Sequence, residues 1–103
     1  MPFPDPHLDP VATLGISRVR IGIINLVVGS EVPVTAVELT EKLGISRATL
    51  SIHVAALVQA GVLHQQIDPS RRGATSGFNR LVWTANADQI DRLLNELSRY
   101  LQP

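Results

Sequence analysis

The chain has no cysteine, which removes disulfide bridges, thiolate metal sites and cysteine nucleophiles together. A reducing interior such as the cytoplasm is compatible with that usage. Aromatic residues are scarce, with two Phe, one Trp and one Tyr in 103 residues, so a core has to be built from Leu, Ile, Val and Ala. No segment approaches the ~20 apolar residues that a membrane span needs. The start, Met1 to His7, lacks the basic and apolar regions of a signal peptide. The expectation is a soluble, cytoplasmic protein with no membrane partner. Enzyme signatures are missing as well: there is no glycine-rich phosphate loop, no Gly-x-Ser-x-Gly elbow and no His-Glu-x-x-His. The three histidines, His7, His53 and His64, show no ligand spacing. Neither catalysis, a metal nor a cofactor is expected.

Net charge is also lacking, since nine basic side chains balance nine acidic ones. That argues mildly against nucleic acid, where basic domains are the rule. The distribution says more than the total. Residues Glu31, Glu38, Glu41 and Lys42 make one stretch acidic, whereas Arg47, Arg71, Arg72 and Arg80 against Asp68 make the stretch from Gly44 to Trp83 basic.

The length fits one domain. Prolines 2, 4, 6 and 10 fix φ and remove donors, so residues 1–12 are expected as a flexible arm ahead of a domain at 13–103. From Ile16 to Val28 apolar residues cover almost the whole helical circumference, and only Arg18, Gly22, Asn25 and Gly29 form a polar or small stripe. The Ile and Val content admits a strand, but the length and the Gly29-Ser30 stop favour a helix. A helix apolar nearly all round needs cover on two sides. A small domain is expected to supply one and a partner chain the other.

Thr35-Ala36-Val37-Glu38 fits a capping box, so a helix is expected from Ala36, with Val37, Leu39 and Leu43 inward and Gly44 ending it. Ser46 then caps a second helix. Two short helices joined by a tight glycine-containing turn make a helix-turn-helix unit. In the second helix Leu50, Val54 and Leu57 share one face, Ala60 and Leu63 carry the contact onward, and Arg47, Ala48, Ser51, Ile52 and Ala55 remain outside. Val62 to Ile67 and Phe78 to Thr84 are β-prone runs around a Gly, Ser and Pro-rich tip and predict a hairpin. Trp83 is expected in the core beneath it. In the last segment Ile90, Leu94, Leu97 and Leu101 recur at four, three and four. That seam suits packing along a two-fold mate or capping of the chain's own core.

The run from Ser46 to Leu63 resembles the recognition helix of the ArsR and MarR groups of bacterial winged-helix regulators. Those groups have Ser at the cap, Thr then Leu or Val, Ser, a His, and Leu-x-x-Ala-Gly-Leu-Val at the exit. Val34 to Ser46 is similar to the first motif helix and turn, and Arg72-Gly73 with Arg80 to Trp83 to the wing, so the likeness covers about Leu14 to Leu101. It implies a mainly helical α+β winged helix-turn-helix with a β-hairpin wing and terminal dimerisation helices. ArsR proteins often sense metals through cysteines near the motif or His and Asp pairs in the terminal helix. This chain has no cysteine and no histidine in that last segment.

A helix fits the major groove of B-DNA, and its first residues reach base edges. The candidate DNA contacts are Arg47, which can pair with guanine, Ser51, and Ala48 or Ile52 against a thymine methyl. Thr35, Ser46 and Thr49 can hold phosphates through hydroxyls and free N–H groups. His53 is a candidate either for DNA or for a hydrogen bond inside the motif. Arg71, Arg72 and Arg80 belong to the wing, where the resemblance implies contact with the duplex. The candidate dimer interface combines Ile16, Val19, Ile23 and Val27 with Ile90, Leu94, Leu97 and Leu101. The expected function is a homodimeric transcriptional repressor on double-stranded DNA. A winged-helix protein-interaction module, or a plasmid or mobile-element DNA-binding factor, would share the fold. Whether an effector ligand exists is not encoded in any motif.

Overall fold

The computed structural model describes residues 13–71 and 77–102. The expected arm at 1–12 and the wing residue Arg72 lie outside the described residues, as does the side chain of Arg71. Helix α1 spans Arg18–Val28, strand β1 Val34–Thr35, helix α2 Ala36–Leu43 and helix α3 Arg47–Gln59. Strands β2, Leu63–Ile67, and β3, Leu81–Ala85, precede helix α4, Ala87–Leu101. The three strands form an antiparallel sheet in the order β1-β3-β2, with Trp83 opposite both Val34 and Gln65. Helix, strand, two helices, hairpin and helix, mainly helical with a small sheet, is the winged helix-turn-helix arrangement that the sequence predicts.

Local chemistry sets the helix limits. Ser17 caps α1 by accepting from the Arg20 backbone N–H at 3.2 Å. Thr35 and Glu38 form the reciprocal capping box at the start of α2. Gly44 ends that helix at φ 63°, a left-handed conformation that costs a residue with Cβ about 1–2 kcal/mol. Ser46 accepts from the Thr49 N–H at 3.1 Å and starts α3. The turn between the two helices is therefore closed by a cap on each side.

The core is aliphatic with one ring at its centre: Ile23, Leu39, Leu50, Leu63 and Trp83 are the largest fully buried side chains. Leu50, Val54 and Leu57 form the inner face of α3, as their spacing requires. Trp83 donates its indole N–H to Oε1 of Gln65 at 3.1 Å, which satisfies the one polar atom the ring brings inside.

Several expectations are corrected. Ile23 and Val27, assigned to a dimer interface, are 0% and 3% exposed within their own chain and have no surface left for a partner. The second side of α1 is covered from within, because the helix packs against α2, α3 and β3 together. Val19 and Ile90 also lean on this core. Gly22 of the small stripe belongs to that contact, since a Cβ there would stand 2.7 Å from Cδ2 of Leu43. Val37 points outward at 45% exposure, and Ala36 takes the inner position beside Leu39. Ala60 is exposed rather than continuing the inner face of α3. Finally, Gly77–Arg80 is a 3₁₀ turn and not strand. The ladder closes where the Asp68 N–H meets the Arg80 carbonyl at 2.8 Å, and Pro69 next along has no N–H to extend it.

Candidate nucleic-acid interface

Helix α3 is held by its buried face, and what it offers outward follows from the 100° step of an α-helix. Ala48, Ser51, Ile52 and Ala55 form a continuous exposed arc. Ile52 is 68% exposed, an apolar group placed in water on that surface. Arg47 borders the arc on one side, and Thr49 and His53 border it on the other.

Each border is tied to a different part of the fold. On the first, the Arg47 guanidinium carbon lies 5.5 Å over the Phe78 ring, and Phe78 in turn stands 5.6 Å from Trp83 at a tilted angle. The 3₁₀ turn at the base of the wing thus carries the ring under the first residue of α3. On the second, Arg20 donates from Nε to Nδ1 of His53 at 3.1 Å, linking α1 to the middle of α3.

The hydroxyl candidates differ among themselves. Ser46 is exposed at the helix start, while the Thr49 hydroxyl accepts from Ser46 Oγ at 3.0 Å. The Thr35 hydroxyl donates to Oε1 of Glu38 at 3.1 Å. A carboxylate already sits at that helix start, which weakens its attraction for a phosphate. Arg80 is exposed where the wing returns to the sheet. The structure therefore gathers Ser46, Arg47, Ala48, Ser51 and Ile52 on one surface and leaves Thr35 occupied by its cap.

Residues 16–66 match the family model described as a helix-turn-helix domain. The fold of that segment, two capped helices about a tight glycine turn, is a helix-turn-helix. The match begins just before α1 and ends within β2, so the motif helices α2 and α3 lie wholly inside it and β3 and α4 fall beyond it. No match was found among curated proteins. A helix-turn-helix domain supports double-stranded DNA as the partner. No helix among the described residues is long and apolar enough to cross a membrane.

Two residues of this surface are not among the candidates that the sequence offers. Phe78 falls in a run that predicts strand, and Arg20 lies in the segment whose apolar periodicity alone carries the helix prediction. Nothing local marks either, because Arg20 and His53 are 33 positions apart.

The last helix is anchored at its start and open along its length. Asn86 caps α4 and donates from Nδ2 to the Gly61 carbonyl at 3.0 Å, and Gln89 Nε2 donates to the Ala60 carbonyl at 2.9 Å. These bonds join the exit of α3 to the entry of α4. Beyond them Leu93, Leu94, Leu97, Tyr100 and Leu101 are all exposed, Leu94 at 58% and Tyr100 at 84%.

Proposed function

We propose that the protein is a sequence-specific, double-stranded DNA-binding transcriptional regulator of the ArsR/MarR-like kind, acting as a homodimeric repressor in the cytoplasm rather than as an enzyme. The observation that carries this reading is the exposed arc of α3, bordered by Arg47 and standing clear of a core that holds the opposite face. A helix of 13 residues is about 20 Å long and 10–12 Å across with its side chains, which matches a major groove about 12 Å wide. Arg47 is the guanine reader, Ser51 the adaptable contact, and Ala48 and Ile52 meet thymine methyls. The wing, with Arg71, Arg72 and Arg80, adds contacts to the phosphates.

Dimerisation through the open leucine seam of α4 completes the reading. Two copies related by a two-fold axis would set their α3 helices about 34 Å apart, on successive major grooves of a roughly palindromic site. Asn86 and Gln89 bind the start of α4 to the end of α3, which ties the helix of the seam to the helix of the reading surface. Bound at a promoter, such a dimer blocks transcription by occupancy.

The test is selection of bound fragments from genomic DNA followed by titration of the recovered duplex at several salt concentrations. If about three basic groups per protomer meet phosphates, the dimer gives a log–log salt slope near −5. A flat slope, or no enrichment of any sequence, favours a protein-interaction module. Exposed Ile52 on a chain of zero net charge is the feature that suits that second reading.

A further inference from the structure

We infer that Arg20 and His53 together form a phosphate clamp on the flank of α3 away from the wing, an inference that rests on the DNA-binding reading of that helix. The argument begins with the hydrogen bond between them. An arginine guanidinium has donors and no acceptor and stays protonated. Its Nε donates to Nδ1 of His53, so Nδ1 must carry the lone pair. The donor of the ring is then Nε2–H.

The pair consequently presents one positive charge and only donors: the two terminal nitrogens of Arg20 and Nε2–H of His53. None of these has a partner among the described residues. Arg20 is exposed and His53 half-buried, so the donors are held by structure yet reach the surface. A cationic cluster of donors with no acceptor is matched by a phosphate, whose oxygens only accept.

Position supplies the second part. Arg47 and His53 border opposite sides of the exposed arc of α3. When a helix about 10–12 Å across fills a groove about 12 Å wide, residues at the borders of its outer face meet the groove walls, which are the two phosphate rows. The wing and Arg47 lie towards one wall. Arg20, carried by α1 and packed against α3, lies towards the other. Ser17 fixes the first turn of α1 through the Arg20 N–H, so the guanidinium does not depend on a loop for its placement. A contact to each wall sets the tilt of α3 in the groove, while a phosphate contact by itself carries no base information.

The experiment titrates the duplex recovered by genomic selection, and a mixed-sequence duplex as control, with wild type and Arg20→Ala across a range of salt. The clamp requires the salt slope of Arg20→Ala to fall in magnitude by about 1 per protomer, about 2 for a dimer. The ratio of affinities for the selected and mixed duplexes stays as in the wild type. A second measurement scans single neutral methylphosphonates along the flanks of the selected duplex. At one position per half-site the substitution weakens the wild type and leaves Arg20→Ala unaffected. An unchanged slope, or no such position, overturns the clamp while the wild type's own binding keeps the DNA reading intact. A slope unchanged with an altered duplex preference also overturns it, because Arg20 would then act on base reading. No binding by the wild type overturns both. Thermal unfolding of Arg20→Ala, an exposed substitution, checks that the fold is retained.

Discussion

The guanidinium of Arg47 rests 5.5 Å from the centroid of the Phe78 ring, so the base of the wing holds the first residue of the recognition helix. A cation over an aromatic face is attracted to the ring's negative surface, by about 0.5–1 kcal/mol at an exposed site. On the proposed DNA-binding reading, holding Arg47 there also lowers the rotamer entropy it would lose on pairing with a base.

Arg47→Ala is expected to cost about 1–3 kcal/mol on the selected duplex and to relax preference at one base pair. Phe78→Leu, which keeps apolar bulk and loses the ring, should weaken the same preference by about 0.5–1 kcal/mol. In the Arg47→Ala background Phe78→Leu should change the preference no further. Titrations of the four proteins against the selected duplex and its single-base variant check the cycle. Additive effects on preference would show that the ring does not act through Arg47.

Ser46 separates helix capping from DNA contact. Ser46→Ala removes the side chain that accepts from the Thr49 N–H and should destabilise the fold by about 1 kcal/mol, read by urea unfolding. Ser46→Asp keeps an acceptor at the cap and preserves stability. It also places a negative charge against phosphate, so the affinity of this variant for DNA should fall while its unfolding midpoint holds. Equal affinities for Ser46→Asp and wild type would place the start of α3 away from the duplex.

The seam of α4 predicts the assembly. Leu94→Asp with Leu97→Asp puts two charges on side chains that are exposed in the single chain, at 58% and 40%. The fold should therefore survive with near-wild-type circular dichroism, and sedimentation should show a dimer turned to a monomer. A protein truncated after Ala87 tests the same seam. Should either variant remain a full-strength dimer, α4 is not the interface.

Gly44→Ala is expected to cost about 1–2 kcal/mol of stability. A Cβ at this position has open space around it, so the loss comes from the backbone alone at φ 63°. Gly44→Asn, which tolerates the left-handed region better, should recover part of it. Chemical denaturation of the three proteins compares them, and a neutral alanine would mean that the turn adopts another conformation.

How far the sequence carries depends on the range of the interactions. The caps at Thr35 and Ser46 and the stop at Gly44 are contacts between residues a few positions apart, so their spelling is local and their positions were legible. The inner face of α3 was equally plain, because Leu50, Val54 and Leu57 repeat over three turns. Helix α2 has only eight residues, too few apolar positions to set its phase, and there the pattern places Val37 inward where the structure exposes it.

What faces each surface was left to the tertiary structure. Periodicity says that α1 is apolar nearly all round, but only the return of β3 across it decides that Ile23 and Val27 are covered by their own chain and not by a partner. Likewise the residues of α3 mark the second helix of a helix-turn-helix, whereas its two borders are completed from elsewhere, by Phe78 from the wing base and by Arg20 from α1. Sequence determined the caps, the turn and the apolar face because those depend on neighbours along the chain. The fold alone decided which cations stand beside the reading surface, because those pairs are closed by packing between distant segments, and no local pattern records it.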